Sequence, residues 1–512
     1  MKTLNEPTAI ASWLHARVSG GLQCDSRHLQ PGDGFIAWPG AATDGRRFVA
    51  DVLAAGCAAV LVEQAGAEAF GFADDCVLAV PGLKALAGPI ASAFYGEPSA
   101  TMDLVAITGT NGKTSCAWWT AQLLSALERP CAVIGTLGIG QPPRAVGEPN
   151  TLVSTGLTTP DPVRLQASLR GLSEQGVRAV ALEASSIGLV EGRLNATQVR
   201  VAVFTNFTQD HLDFHGDMDA YWAAKASLFD RAGLASAVVN LDDPRGALLA
   251  VRARACGLDL WTVGLEAGSE ASRLSAAGIA VTRSGMRLTV VERDVAGAVC
   301  ASHPLSLSLV GRYNLANLLC VLGAVRALGL PLHDAVRACQ ALTPVPGRME
   351  QVPAVETAPL VLVDYAHTPD ALEKALQALQ PVAKRRGGAL WVVVGCGGDR
   401  DASKRPLMAA VAEREAAQLV LTSDNPRSED ALTILQQMLV GLQRAAQARL
   451  EPDRAAAIDL AVRCAQPADV VLIAGKGHED YQEIQGVKRP FSDQAHAAAA
   501  LARRGAPQGA GA

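Results

Sequence analysis

The chain runs to 512 residues, too long for one hydrophobic core, which predicts about three domains. Hydrophobic residues at 49% and charged residues at 19% exclude a disordered chain, and a net charge of −5 offers no basic footprint for nucleic acid or an acidic membrane. The 11 cysteines are scattered without a C-x-x-C pair, so neither a disulfide framework nor a zinc site is expected and the compartment reads as reducing.

Residues 1–20 lack the unbroken apolar core of a signal peptide, and no apolar run reaches the ~18 residues of a membrane span. A cytoplasmic protein is expected. Residues 1–100 alternate short apolar runs at 34–37, 58–62 and 76–80 with helical segments such as 45–55, which predicts an α/β module without a phosphate loop. Two polar clusters stand out there, Asp25-Ser26-Arg27 and residues 40–47; by pattern alone both are equally well ordinary turns of solvated charges. Gly96-Glu97-Pro98-Ser99 marks the boundary with the next domain.

Residues 101–344 form the domain on which the rest of the chain is organised. The apolar run 105–107 ends in Thr108-Gly109-Thr110-Asn111-Gly112-Lys113-Thr114-Ser115, and a helical segment follows. Strand, glycine loop and helix start make a phosphate cradle: backbone N–H groups face the anion, Lys113 reaches the terminal phosphates and Thr114 can hold Mg2+. The loop reads G-x-x-G-K-T, two residues shorter than the common P-loop, an ATP site of an uncommon subtype. Further strands at 177–182 and 199–204 run into Glu183-Ala184-Ser185-Ser186 and Thr205-Asn206-Phe207-Thr208-Gln209-Asp210-His211. In an open parallel sheet ligands sit beyond the carboxyl ends of the strands, so Glu183 and His211 belong on the rim that carries Lys113. His211 and His215 have i,i+4 spacing, but the stretch is loop-like and no third zinc ligand is near. Lys225 lies in a largely apolar helix, where it either snorkels to the surface or reacts as a free amine of depressed pKa. The weakly patterned stretch 264–308 reads as a β excursion, and Gly311-Arg312-Tyr313-Asn314 opens an apolar helix with Asn314 and Asn317 one turn apart.

Thr343-Pro344-Val345-Pro346-Gly347 is a linker by composition. Residues 345–505 repeat the doubly wound pattern, with strands ending at Asp364, at Gly395 to Asp401, at Asp424-Asn425-Pro426-Arg427 and at Gly475-Lys476-Gly477-His478-Glu479. Thr368 and Pro369 signal a helix start, with the helix running through Leu379. The tail 506–512, of Ala, Gly, Pro and Gln, is expected to be disordered. The fold class predicted is thus α/β: a central P-loop-type parallel-sheet ATPase domain flanked by an N-terminal α/β domain and a C-terminal Rossmann-like domain. A dinucleotide reading of Gly395-Cys396-Gly397-Gly398 fails for want of a third glycine. A P-loop switch is the other class, and polar rims on three domains argue instead for a sizeable substrate.

In combination, G-T-N-G-K-T-S, T-T-P, E-A-S-S, N-F-T-Q-D-H-L-D, Y-W-x-A-K, G-R-Y-N-x-x-N, D-Y-A-H-T-P-D and D-N-P-R resemble the Mur ligases of peptidoglycan synthesis, over nearly the whole chain. The resemblance implies a three-domain, ATP- and Mg2+-dependent ligase that activates a carboxylate as an acyl phosphate for attack by an amine. Its domains would bind the UDP-sugar (1–100), ATP (101–344) and the amino acid (345–505). It implies catalytic roles for Lys113, Glu183, His211 and Lys225, with metal held by Thr114, Glu183, His211 and a carbamylated Lys225. ATP contacts would come from Gly109, Thr110, Asn111, Gly112, Lys113, Thr114, Ser115, Asn314, Asn317, Arg348 and Asp364. The muramoyl dipeptide would meet Thr158, Thr159, Ser185, Glu191 and Arg193, and its uridine end Cys24, Ser26, Ala41, Ala42 and Thr43. Ile187 and Glu191 depart from the histidine and glutamine common in the family.

The amino-acid site implied is Arg400, Asp424, Asn425, Pro426, Arg427, Gly475 and Glu479. Meso-diaminopimelate differs from lysine by a carboxylate, which a guanidinium clamps through parallel hydrogen bonds, so Arg427 points to the diaminopimelate-adding member. A lysine-adding ligase and a folylpolyglutamate synthetase-like ligase are the alternatives, the latter having no need of the N-terminal module. A monomer acting on small-molecule substrates is expected.

Overall fold

The computed structural model describes residues 2–40, 43–145, 148–265, 272–282, 285–309, 311–355 and 357–505. The expectations for Ala41, Ala42 and the tail 506–512 lie outside these residues. Three main sheets organise the chain, and the predicted α/β class with parallel sheets is borne out. The first sheet is parallel throughout, in the order Lys2–Thr3, Val77–Val80, Ala59–Glu63, Gly34–Ala37, Leu22–Gln23. Its three inner strands are apolar runs because both faces are covered, by clusters around Leu14 and Ile90 on one side and Phe35 and Val52 on the other. The expected helix at 45–55 divides: Gly45–Phe48 is a 3-10 turn that leads into the α-helix Val49–Ala54.

The second sheet has ten strands, with Asp103–Thr108 between Val201–Phe204 and Ala179–Glu183. The stretch read as a β excursion supplies Leu274–Val281, Met286–Arg293 and Val299–Leu307, antiparallel to one another and continuing the sheet. Helix Lys113–Ala126 is buried all round from Thr114 to Leu124, lodged between this sheet and helix Arg312–Ala327. A helix enclosed on every side is held firmly, and here that burial immobilises the loop it carries.

The third sheet orders Glu350–Gln351, Leu360–Asp364, Val470–Ala474, Leu390–Val394, Gln418–Leu421 and Arg449–Leu450, parallel but for the first pair. A separate hairpin, Tyr481–Ile484 with Val487–Pro490, follows. The helix expected to end at Leu379 runs from Pro369 to Arg386 and stops at Gly387, whose φ of +75 closes it.

The units meet in different ways. Helix Pro162–Glu174 sends Val163 into the N-terminal core, and Gly88 lies so close that a Cβ there would stand 2.5 Å from the Asn195 carbonyl. The third sheet's unit meets the central one through polar contacts such as Asn111 Nδ2 to Asp370 Oδ2 (3.2 Å) and Arg385 to the Thr282 carbonyl (2.6 Å). The segment read as a linker is pinned at its start: Thr343 exchanges hydrogen bonds with Trp118, Trp119 and Gln122 of the buried helix. Among the described residues no helix is long and apolar enough to cross a membrane.

Candidate active site

Register builds the site. Parallel pairing sets Phe204 beside Thr108 and Glu183 beside Ile107, so the polar segments that follow these strands gather at one rim. Gly109 has φ +148, and a Cβ there would stand 1.9 Å from Thr205 Oγ1; at Gly112 (φ +86) it would meet Asn317 Oδ1 at 2.3 Å. Only glycine fits either place. The loop is clasped by the next strand's end: Thr110 N–H donates to the Asn206 carbonyl (2.9 Å), Asn111 N–H to Asn206 Oδ1 (2.9 Å), and Thr205 Oγ1 to the Asn111 carbonyl (2.6 Å). Lys113 Nζ folds back onto the carbonyls of Gly109 (2.9 Å) and Thr110 (2.8 Å), and burial holds its pKa below the usual lysine value.

Beside the loop, Glu183 is fully buried with both oxygens engaged. Oε1 accepts from the Thr136 N–H (2.8 Å), and Oε2 from Thr114 Oγ1 (3.0 Å) and Thr136 Oγ1 (3.2 Å). Lys225 does not snorkel. It is 1% exposed, its Nζ donates to the Gly109 carbonyl (2.8 Å) and lies 4.4 Å from the centre of the Tyr221 ring. Burial, reinforced by the charge of Lys113, drives its pKa well below the ordinary value, the direction that favours a free amine. Burial likewise pulls His211 down to about 4, leaving a neutral imidazole.

Asp210 carried no role in the sequence, yet its carboxylate is central. It faces His211 Nε2 at 3.5 Å and, from the third sheet's unit, His367 Nε2 at 3.8 Å. Burial raises its pKa, but the hydrogen bond and charge of His367 outweigh that, and it stays well below the usual carboxylate range. Its place between two histidines across the cleft was hidden because one of them is more than a hundred residues away.

The expected nucleotide contacts do converge. Lys113, Thr114, Glu183, His211, Lys225, Asn314, Asn317, Arg348 and Asp364 all line one cleft of about 710 Å3. Arg348 stacks over Tyr365, 4.4 Å from the ring centre, and donates to Thr114 Oγ1 (3.2 Å). Asp364 accepts from the backbone N–H groups of Met349 (2.7 Å) and Ala366 (2.9 Å), and burial raises its pKa. It thereby holds the chain segment that presents Arg348.

On the side toward the N-terminal sheet, Thr158 Oγ1 lies 3.1 Å from Thr136 Oγ1. Thr159 Oγ1 donates to the Glu183 carbonyl (2.7 Å) and meets Ser185 Oγ at 2.9 Å. Arg193 reaches the Thr159 carbonyl (2.8 Å). Glu191 pairs with Lys84 (2.7 Å), so this departure from the family pattern ties the first two units together. Burial pushes the Cys24 thiol well up, with Asp161 adding to the effect. Ser26 opens a short turn in which Arg27 lowers Asp25 to about 2. Thr43 is exposed and lies next to Asp44, which fixes a buried Arg46 (2.7 Å); within the second polar cluster that pair is therefore not solvated charge.

Beyond the third sheet, Asp424-Asn425-Pro426-Arg427 and Gly475 to Glu479 lie side by side. Asn425 Nδ2 donates to Glu479 Oε2 (2.8 Å), and a Cβ on Gly475 would stand 2.4 Å from Asp424 Oδ2. Arg427 has φ +54 and donates from NH1 to the Gly398 carbonyl (2.7 Å); Arg400 is exposed and donates to the Asp399 carbonyl (3.2 Å). Neither guanidinium is neutralised at close range; among the described residues the nearest carboxylate to Arg427 is Glu483, at 4.0 Å.

A glycine loop completed by an arginine from the segment that leads into the third sheet suits transfer between bound substrates, because chemistry waits until both are in place. That is the arrangement of an ATP-dependent ligase. Three family models match in series: "Mur ligase family, catalytic domain" over residues 20–95, "Mur ligase middle domain" over 107–325 and "Mur ligase, glutamate ligase domain" over 347–477. The chain belongs to the Mur ligase family. It is 54% identical to the UDP-N-acetylmuramoyl-L-alanyl-D-glutamate–2,6-diaminopimelate ligase of Acidovorax sp. (strain JS42), covering 99% of each chain. It is 46% identical to the protein of the same name from Pseudomonas aeruginosa over 94% of each. A solved structure of a ligase with that name is 34% identical with a TM-score of 0.63, covering 95% of each chain. A Thermotoga maritima MurF ligase in complex with ADP shares the fold at 18% identity and a TM-score of 0.63, over 96% of this chain and 97% of that one.

Proposed function

We propose that the enzyme joins meso-2,6-diaminopimelate to the D-glutamate of UDP-N-acetylmuramoyl-L-alanyl-D-glutamate, using ATP, in the cytoplasmic synthesis of peptidoglycan precursors. The observation that carries the choice of amino acid is Arg427, held in a left-handed backbone at a strand end beside Asn425 and Glu479. Its NH2 group has no hydrogen-bond partner among the described residues and is free for the second carboxylate that lysine lacks. The names of the relatives at 45–54% identity support the same reading.

In this reading residues 1–100 hold the UDP-sugar, 101–344 the ATP and the growing dipeptide, and 345–505 the amino acid. The γ-phosphoryl group passes from ATP to a carboxylate oxygen of D-glutamate, and ADP leaves. The amine of diaminopimelate then attacks the acyl carbon, the C–O bond to phosphate breaks and the amine loses a proton. Transfer between two anions needs positioning and charge neutralisation, which Lys113 and Arg348, lining the same cleft, would supply. The donor set fits Mg2+: Thr114 Oγ1 and Glu183 Oε2 are hard oxygens 3.0 Å apart, and His211 is neutral. Lys225 would complete it as a carbamate: burial lowers its pKa, and an amine in its neutral form adds CO2 and loses a proton. Bound there, Mg2+ would neutralise charge developing on the phosphates.

Phosphate release in the presence of UDP-N-acetylmuramoyl-L-alanyl-D-glutamate, with either meso-diaminopimelate or L-lysine, tests the reading. Turnover with the first is expected; turnover with lysine alone would sink it, and ATP hydrolysis indifferent to any amine would favour a switch. Lys225→Ala is expected to lower turnover about a hundredfold or more, the scale of losing a fixed transition-state charge partner. Unchanged activity, with or without added bicarbonate, would remove the carbamate from the mechanism.

A further inference from the structure

Lys476 is among the largest fully buried side chains in the molecule, although a lysine is almost never enclosed without a reason. Gly475 (φ +116) and Gly477 (φ +55) flank it and admit no side chain: a Cβ on the first would meet Asp424 Oδ2 at 2.4 Å, and on the second the Gly347 carbonyl at 2.8 Å. Between them the lysine is turned inward. Its Nζ donates to Asn425 Oδ1 (2.9 Å) and Glu479 Oε2 (2.8 Å). Both partners belong to the amino-acid subsite, and a buried ammonium is a poor way to stabilise a fold when an apolar residue of like size would pack there.

The bonds determine what that subsite offers. Asn425 Oδ1 accepts from Lys476 and from the Glu483 N–H (3.0 Å), which fixes the orientation of the amide and sends Nδ2 to Glu479 Oε2 (2.8 Å). Glu479 Oε2 is thus taken twice, while Oε1 accepts no hydrogen bond among the described residues and is left for a substrate ammonium. The hairpin that donates to Asn425 also holds Arg427: its N–H donates to the Glu483 carbonyl (3.0 Å), and the Gln485 N–H to its own carbonyl (2.6 Å). The anionic and cationic ends of the subsite are therefore set by one connected network with Lys476 at its buried end.

We propose that Lys476 is a positioning residue for amino-acid recognition: it touches no substrate, and it orients Asn425 and Glu479 so that one carboxylate oxygen is presented to the incoming amino acid's ammonium. This rests on the amino-acid subsite assigned above. Steady-state kinetics of the full-length enzyme, varying each substrate in turn, tests it. Lys476→Met is expected to raise the KM for meso-diaminopimelate about tenfold or more, the scale of lost charge-assisted hydrogen bonds, with KM for ATP and for the UDP-linked dipeptide within about twofold. Lys476→Arg should recover part of that loss, and Lys476→Met should add little to Glu479→Gln because it acts through that carboxylate. An unchanged KM for the amino acid, a parallel rise for all three substrates, or full additivity with Glu479→Gln would each overturn the proposal. If Lys476→Met does not fold, Lys476→Arg decides by the same split at smaller amplitude. Wild-type enzyme that rejects meso-diaminopimelate would sink the assigned activity instead, and the same series with the amino acid it does accept would still judge Lys476.

Discussion

Gly135 has room for nothing but hydrogen. A Cβ there would stand 2.2 Å from Glu183 Oε1 and 2.8 Å from its Cδ. The carboxylate cannot simply swing aside, since the Thr136 N–H and two hydroxyls hold it in place. Gly135→Ala should therefore displace Glu183 from Thr114, and a shift of an ångström in such a group costs about a hundredfold in turnover. The overpacking should cost only about 1–3 kcal/mol of stability. Phosphate-release rates beside a melting curve would separate the two effects, and wild-type turnover would show that Glu183 does not need this position. The same crowding at Gly109 and Gly112 accounts for the compact G-x-x-G-K-T loop, whose glycines are pressed against Thr205 and Asn317.

At the scale of elements, the amino-acid subsite proposed above depends on a buried ion pair. Arg454 and Asp493 are both fully enclosed and bind each other through two hydrogen bonds (2.8 and 2.7 Å). The guanidinium also donates to the carbonyls of Ser423 (3.2 Å) and Ala474 (3.0 Å), the residues just before Asp424 and Gly475. Arg454→Met should destabilise the protein by about 3–5 kcal/mol, because Asp493 is left buried and unpaired, and adding Asp493→Leu should restore much of that. Urea denaturation of the single and double variants would measure it; a single variant with an unmoved midpoint would refute the argument. None of this was legible. Arg454 opens a helix, where a lone arginine reads as solvated, and its partner lies 39 residues on. What could be read was the set of strand ends, since a buried parallel strand is an apolar run and the first polar residue after it lands on the ligand rim, as Glu183 and Asp364 do. The hairpin that supports Arg427 escaped because its strands are not apolar and its turn is Gln485-Gly486, both at positive φ, in place of the usual Asn-Gly. For Lys225 the sequence left open only whether it is buried, because that depends on what packs over a helix lysine, here the Gly109 loop and Tyr221.

Across the whole molecule, the first two units share packed apolar side chains, whereas the third meets the central one through polar contacts and the covalent connection. That connection begins at Thr343, bonded to the very helix whose start is Lys113, and bends at Gly347 (φ +64) and Met349 (φ +48) before Asp364 secures it. Arg348 sits inside the bend, so the path that positions the third unit is also the path that brings a cation to Thr114 at the start of the glycine-loop helix. A Cβ on Gly347 would stand 2.1 Å from the His478 backbone nitrogen and 2.5 Å from the Gly477 carbonyl carbon. Gly347→Ala should thus push the connection away from the Gly475–Glu479 loop and carry Arg348 off Thr114, without touching residues that face the N-terminal sheet. Turnover should fall about a hundredfold, in line with the loss of a positioned charge at the transferring phosphoryl group. The affinity for UDP-N-acetylmuramoyl-L-alanyl-D-glutamate, measured by calorimetry on the same variant, should be unchanged. Loss of both together would mean that the third unit helps to hold the UDP-linked substrate, and retention of full turnover would mean that the bend at Gly347 does not govern the approach of Arg348.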